Sequence, residues 1–215
     1  MITEILIALW QTFYMVLVSG ILAIILGLPL GILLLTTREH HLYSIPSLNR
    51  ILSIIINALR SLPFIILMIA IIPLTRFIVG TSIGTAAAIV PLVAAAFPFV
   101  ARIVENALDA VPHGLTEASL SMGASSYQII QKVLIPEALP ALVNGITLMF
   151  ITLIGYSAMA GAVGGGGLGD LAIRYGYQRF DVNIMIITVL ILIVMVQCIQ
   201  WLGDKTSQQL LKVKR

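Results

Sequence analysis

The chain alternates long apolar stretches with short polar connections. Residues 5–37, 77–101, 138–169 and 182–203 carry no charged side chain, and residues 51–74 are equally apolar apart from Arg60. A helix needs about 20 apolar residues to cross about 30 Å of hydrocarbon. Each stretch therefore predicts one membrane span. The pattern predicts an all-α, polytopic membrane protein with five spans, near residues 13–36, 51–74, 80–102, 138–160 and 182–203. One membrane domain, residues 8–204, is expected, followed by a basic tail at 205–215. Five is odd, so the termini are expected on opposite sides of the bilayer.

Composition agrees and excludes a soluble fold. Hydrophobic residues make up 60% of the 215 and charged residues 10%, against about 25% charged in an average soluble domain. The net charge of +3 comes from Lys and Arg scattered singly, so it signals orientation in the membrane and no nucleic-acid partner. With the N-terminus outside, nine Lys and Arg fall on the inner side, and only Arg76, Arg174 and Arg179 fall outside. The excess of inner positive charge predicts N-out, C-in. The first apolar run follows Glu4, lacks a basic leader and is longer than a signal-peptide core, so it is read as a retained first span.

Two residues interrupt the second span. Arg60 lies nine residues beyond Ile51, about 13 Å along a helix, within reach of inner headgroups by snorkelling. Its two readings are a snorkelling arginine and one that lines a pathway through the bundle. Pro63 removes a backbone donor and is expected to kink the helix.

The longest polar connection, residues 102–137, carries its own helix signals. Pro112 ends the third span, Thr116 is expected to cap a short helix opening at Glu117, and Gly123 is placed to terminate it in the left-handed conformation. Ser125 and Gln128 have capping-box spacing for a second helix running towards Pro136. The connection at 112–136 is thus a short helix, a glycine bend and another helix at the inner face.

The glycine-rich stretch 164–169 formally contains G-x-G-x-x-G. It follows a membrane span instead of a strand, and Asp170 stands where a phosphate-binding loop needs lysine, so nucleotide binding is rejected. Small residues from Ser157 to Gly169 permit close backbone approach. They suggest an outer gate with Met159 as an apolar plug beside Ser157. Gly27 and Gly31 form a G-x-x-x-G pair read as helix packing. Cys198 is alone and expected to be a small buried hydrophobe. His40, His41 and His113 have no metal-ligand spacing, and no catalytic set or cofactor motif is present. Arg102, Glu105 and Asp109 have the spacing of ion pairs along one helix.

Glu117-Ala118-Ser119, then Gly123 after three residues, then Val133-Leu134-Ile135-Pro136 after nine more, resembles the EAA loop of ABC importer permeases. Further segments are similar to the permease subunit of methionine importers. They include Arg60-Ser61-Leu62-Pro63-Phe64, Pro98-Phe99-Val100-Ala101-Arg102, Glu105-Asn106-Ala107-Leu108, Gly155-Tyr156-Ser157-Ala158-Met159 and Tyr175-Gly176-Tyr177. The resemblance implies a five-span permease of the bacterial inner membrane with N-out topology. It implies a coupling helix at which Glu117, Ala118, Ser119, Gly123 and Pro136 meet an ATPase. It further implies a second copy of the chain, two cytoplasmic ATP-binding subunits, an extracytoplasmic substrate-binding lipoprotein, and import of methionine in both D and L forms. A permease for another small amino acid is the nearest alternative. An autonomous secondary transporter is a weaker one, because such proteins usually carry internal repeats and ionisable residues within their spans.

Overall fold

The computed structural model describes residues 2–39 and 41–213, and every regular element among them is a helix. His40, Lys214 and Arg215, which entered the charge and ligand arguments, lie outside the described residues. Four helices among the described residues are long and apolar enough to cross a membrane. A bent pair brings the number to five if it is counted as one span.

Helix α1, Ile2–Thr36, is about 52 Å long at 1.5 Å per residue, so it begins well before the predicted residue 13. At its far end Thr37 Oγ1 donates to the Leu33 carbonyl at 2.6 Å. Asn49 Nδ2, from the next helix, donates to the carbonyl of Leu34. These bonds satisfy carbonyls that a helix end otherwise leaves open.

The second predicted span is the principal correction to the pattern reading. Instead of one kinked helix over 51–74 there are three pieces: α2, Pro46–Ser61, α3, Phe64–Ala70, and α4, Ile72–Val79. The axes of α2 and α3 differ by 105°. The cause is local. Leu62 precedes proline and takes an extended conformation, with φ −80° and ψ 128°, and Pro63 has no N–H with which to continue the helix. Gly80, at φ 81°, closes α4.

Helix α5, Thr85–Asp109, is the centre of the molecule and packs most extensively against α1. Its buried side chains Leu92, Val100, Val104 and Leu108 join Met15, Leu35, Leu142 and Leu153 in one core. The G-x-x-x-G pair on α1 makes this approach possible: a Cβ on Gly27 would lie 2.6 Å from Val100 Cβ.

Helix α6, His113–Ser121, and the short α7, Ser126–Ile129, form the connection after α5. Their continuation departs from expectation. A π-helical turn, Ile130–Leu134, leads without a break into α8, Ile135–Ala160. Pro136 therefore lies inside a helical run spanning Ser126–Gly165. A turn with wider hydrogen-bond spacing just before a proline accommodates the donor that proline lacks.

Beyond α8 the glycine-rich segment turns the chain back on itself, through Val163 and Gly164 in non-helical conformations, into α9, Gly167–Leu171. This segment is buried against α1. Gly167 N donates to Gln11 Oε1 and Leu168 N donates to Thr12 Oγ1, both at 2.8 Å. The Leu168 contact is buried, so Thr12→Val, which strands that N–H, is expected to cost about 1–3 kcal/mol. A thermal unfolding midpoint unchanged in Thr12→Val would show that the clamp contributes nothing.

The last helix, α10, Val182–Val213, exposes Ile186, Val189, Leu190, Ile193, Val194 and Leu202. Such apolar exposure along a whole helix belongs to a lipid-facing element. Cys198 on this helix is exposed, not buried as its apolar surroundings suggested.

Candidate functional site

Two regions concentrate the residues singled out from the sequence, one at α6 and one where α2 breaks. At α6 the helix begins earlier than predicted. Pro112 occupies the N-cap with φ −56° and ψ 126°, and His113 starts the helix. A proline that fixes its own φ and cannot donate is a natural start signal, so Thr116 is not a cap and Glu117 sits in mid-helix. The terminator is as expected: Gly123 has φ 81°, Met122 N donates to the Ala118 carbonyl, and Gly123 N donates to that of Leu120. Nothing lies within 4 Å of a Cβ placed on Gly123, so glycine is needed there for its backbone angle and not for room. The capping box also forms, with Gln128 N donating to Ser125 Oγ and Ser125 N donating to Gln128 Oε1.

Glu117, Ala118 and Gly123 are exposed on this element, whereas Ser119 is buried with its hydroxyl donating to the Leu115 carbonyl at 2.7 Å. Pro136 is half-buried at the start of α8. Around them Leu115, Leu120, Met122 and Tyr127 are exposed, Met122 at 80%. An apolar patch with a single carboxylate at the end of a bundle is the composition of a docking surface.

Behind this patch lies a cavity of about 300 Å³, lined by His41, Asp109, His113, Thr116, Glu117 and Ser126 among others. The His41 and His113 rings are 6.0 Å apart. Burial pushes the His41 pKa below its ordinary value, and nearby Arg38 and His113 add to this against the pull of Asp109. No cluster of three metal-ligating side chains occurs among the described residues.

An ion cluster that was only partly evident from spacing fixes the base of this region. Arg102 and Glu105 pair along α5 as expected. Arg38, just after α1, was not anticipated in the cluster, yet it reaches Glu105 at 2.6 Å and Asp109 at 2.9 Å. Burial opposes the charge on Arg38, but hydrogen bonds to the two carboxylates outweigh it and raise its pKa. Arg102 also donates to Asn57 Oδ1 at 3.0 Å, so α1, α2 and α5 meet at Glu105.

The second region surrounds the break between α2 and α3. Arg60 is exposed in the last turn of α2, its guanidinium 5.9 Å from the centroid of the Phe99 ring. Pro63 forms the break. Immediately beyond it Phe64 stacks on Tyr156 of α8, with centroids 4.6 Å apart and ring planes 3° from parallel. A cavity of about 230 Å³ lies between these elements. Ser157 and Met159 do not line it. Ser157 is buried with its hydroxyl bonded to the Ile154 carbonyl, and Met159 is 45% exposed, about one turn further along α8 than Tyr156.

A helical bundle with a bent, proline-broken span, a glycine-rich segment that turns back on itself and an exposed helix on one end is the architecture of a polytopic membrane protein with a surface free to dock a partner. The chain matches the family described as binding-protein-dependent transport system inner membrane component over residues 24–211. It belongs to that family and is a multi-pass protein of the bacterial inner membrane, the permease subunit of an ABC importer. Among its relatives, the probable D-methionine transport system permease protein MetI of Vibrio cholerae serotype O1 is 58% identical over 197 residues, covering 92% of this chain and 88% of the relative. The D-methionine transport system permease protein MetI of Escherichia coli K12 is 56% identical over 152 residues, covering 71% of this chain and 70% of that one. A chain of the MetNI methionine ABC transporter, solved in inward-facing conformations, superposes with a TM-score of 0.96 at 49% identity, covering 98% of this chain and 97% of its own. An amino acid ABC transporter solved with histidines shares the fold at a TM-score of 0.72 and 22% identity.

Proposed function

We propose that two copies of this chain form the translocation pathway of an ATP-driven methionine importer that accepts the D and L forms. The N-terminus lies outside and the basic end inside. Two ATP-binding subunits dock on α6 through Glu117, Ala118, Ser119 and Gly123, with Pro136 at the helix they move. An extracytoplasmic binding lipoprotein delivers the substrate. The chain binds no cofactor and hydrolyses nothing, and its partners perform the ATP chemistry. Arg60, Pro63, Ser157 and Met159 belong to the pathway and its gate.

The observation that carries this reading is the helical continuity from α7 to the end of α8. Exposed α6 is joined by one glycine bend to an unbroken helical run from Ser126 to Ala160, about 52 Å at 1.5 Å per residue. A displacement of α6 by an ATPase is thereby delivered to the far end of α8, where Met159 lies. Such a stiff lever suits rigid-body switching between two packed states. The methionine relatives support the substrate.

Glu117→Ala tests the coupling role. In liposomes holding the complete importer, methionine uptake is expected to fall about tenfold or more, the effect of about 1.4 kcal/mol, while subunits copurify and ATP hydrolysis continues. An intact complex with unchanged uptake removes Glu117 from the coupling surface.

A further inference from the structure

Arg60 is a cation for which the described structure supplies no anion. Arg38, Arg102 and Arg174 are held by carboxylates. Among the described residues Arg60 makes no ion pair or hydrogen bond, and its one close partner is the Phe99 ring. It lines the 230 Å³ cavity with Phe64, Leu67, Phe99, Thr152 and Tyr156. Thr152 already donates its hydroxyl proton to the Leu148 carbonyl at 2.8 Å, so its oxygen is left as an acceptor. The Tyr156 hydroxyl has no partner among the described residues. The remaining wall is apolar or aromatic.

This is an asymmetric set of groups. One guanidinium offers a planar fork suited to a carboxylate. Two hydroxyl oxygens and aromatic faces are suited to an ammonium. Leu67, Ala96 and Leu153 offer no partner to a charged side chain. We propose that this cavity is a transient binding site for a single amino acid with an apolar side chain, in which Arg60 holds the α-carboxylate and Thr152 and Tyr156 receive the ammonium. The assignment rests on the importer reading above and adds the class of substrate recognised within the permease. A zwitterion entering apolar surroundings needs both charges met, or desolvation excludes it. A site open enough to leave Arg60 exposed binds weakly, as a conduit must if the substrate is to leave. The 105° break places Arg60 here. A continuous helix over 51–74 would carry the chain past α8 without the turn that brings Phe64 onto Tyr156.

The test uses the complete importer, permease with ATPases and binding protein, in liposomes. Arg60→Gln is expected to lower methionine uptake about tenfold or more, the size of one lost charge-assisted contact, and Arg60→Lys to recover part of it. A second readout separates recognition from structure. In a Cys198→Ser background, Ala95→Cys, on the cavity wall but outside the proposed contacts, is labelled by a charged thiol reagent during ATP turnover. L-methionine should slow labelling, methioninamide, which lacks the carboxylate, should not, and adding Arg60→Gln should abolish the protection. Equal protection by the amide, protection that survives Arg60→Gln, or undiminished uptake in Arg60→Gln overturns the assignment while leaving the importer reading intact. A wild-type complex that imports no methionine overturns both. If Arg60→Gln does not assemble, Arg60→Lys and the comparison of methionine with its amide decide.

Discussion

Glu105→Leu should destabilise the permease more than any other single change at its polar end. Glu105 is 1% exposed and receives Arg38 from one side and Arg102 from the other. Removing one member of a buried ion pair costs about 3–5 kcal/mol, because the charge left behind has lost its partner. Arg38 is 33% exposed and regains some water, which places the expected loss in the lower half of that range. Arg102 is worse off: its Nε is already buried without a partner, and its remaining contacts are Asn57 and the Ser53 carbonyl. Thermal unfolding of the purified complex checks this. A midpoint within error of wild type would mean that the three helix ends are held by packing alone. The double change Glu105→Leu with Arg102→Leu should cost less than the sum of the two singles, since only Arg38, which keeps Asp109, then loses a partner.

Gly31→Leu should disrupt the central helix pair itself. A Cβ at this position would lie 2.5 Å from both the Ala101 carbonyl oxygen and Val104 Cβ. One of these is backbone and cannot rotate away, so α1 and α5 must separate. Overpacking a fitted core costs about 1–3 kcal/mol for modest insertions, and a whole isobutyl group against backbone belongs at or above the top of that range. The contrast is Gly80→Leu at the end of α4, which meets open space and suffers only the backbone strain of its left-handed conformation, φ 81°. Loss of assembled complex in Gly31→Leu but not in Gly80→Leu is the expected outcome. Equal yields would place the tight contact elsewhere.

Much of this architecture could be read from apolar spacing and a few punctuating residues. The four unbroken spans, the left-handed turn at Gly123, the capping box at Ser125 and the packing role of Gly31 all depend on local rules. The misreadings have equally local causes. Proline at 63 was expected to kink a helix, but a proline that follows an extended residue ends one, and nothing in the composition of residues 51–74 distinguishes the two. Pro112 and not Thr116 starts α6, because its fixed φ already suits a helix entry and it has no N–H to leave unpaired. Pro136, counted as a boundary, was absorbed by the π-helical turn before it. Arg38 was absent from the expected ion cluster because it lies 67 positions from Glu105. Only tertiary packing brings such residues together. Likewise no spacing rule links Arg60 to Tyr156, since the bend that joins them was itself underestimated.

The coupling of transport to an external motor is tested most directly by measuring methionine uptake in liposomes with and without the ATPase subunits. The fold, the exposed α6 and the stiff connection to α8 predict ATP-dependent accumulation by the complete assembly and none by the chain alone under any ion gradient. Uptake driven by a gradient in the absence of the ATPase would contradict the account.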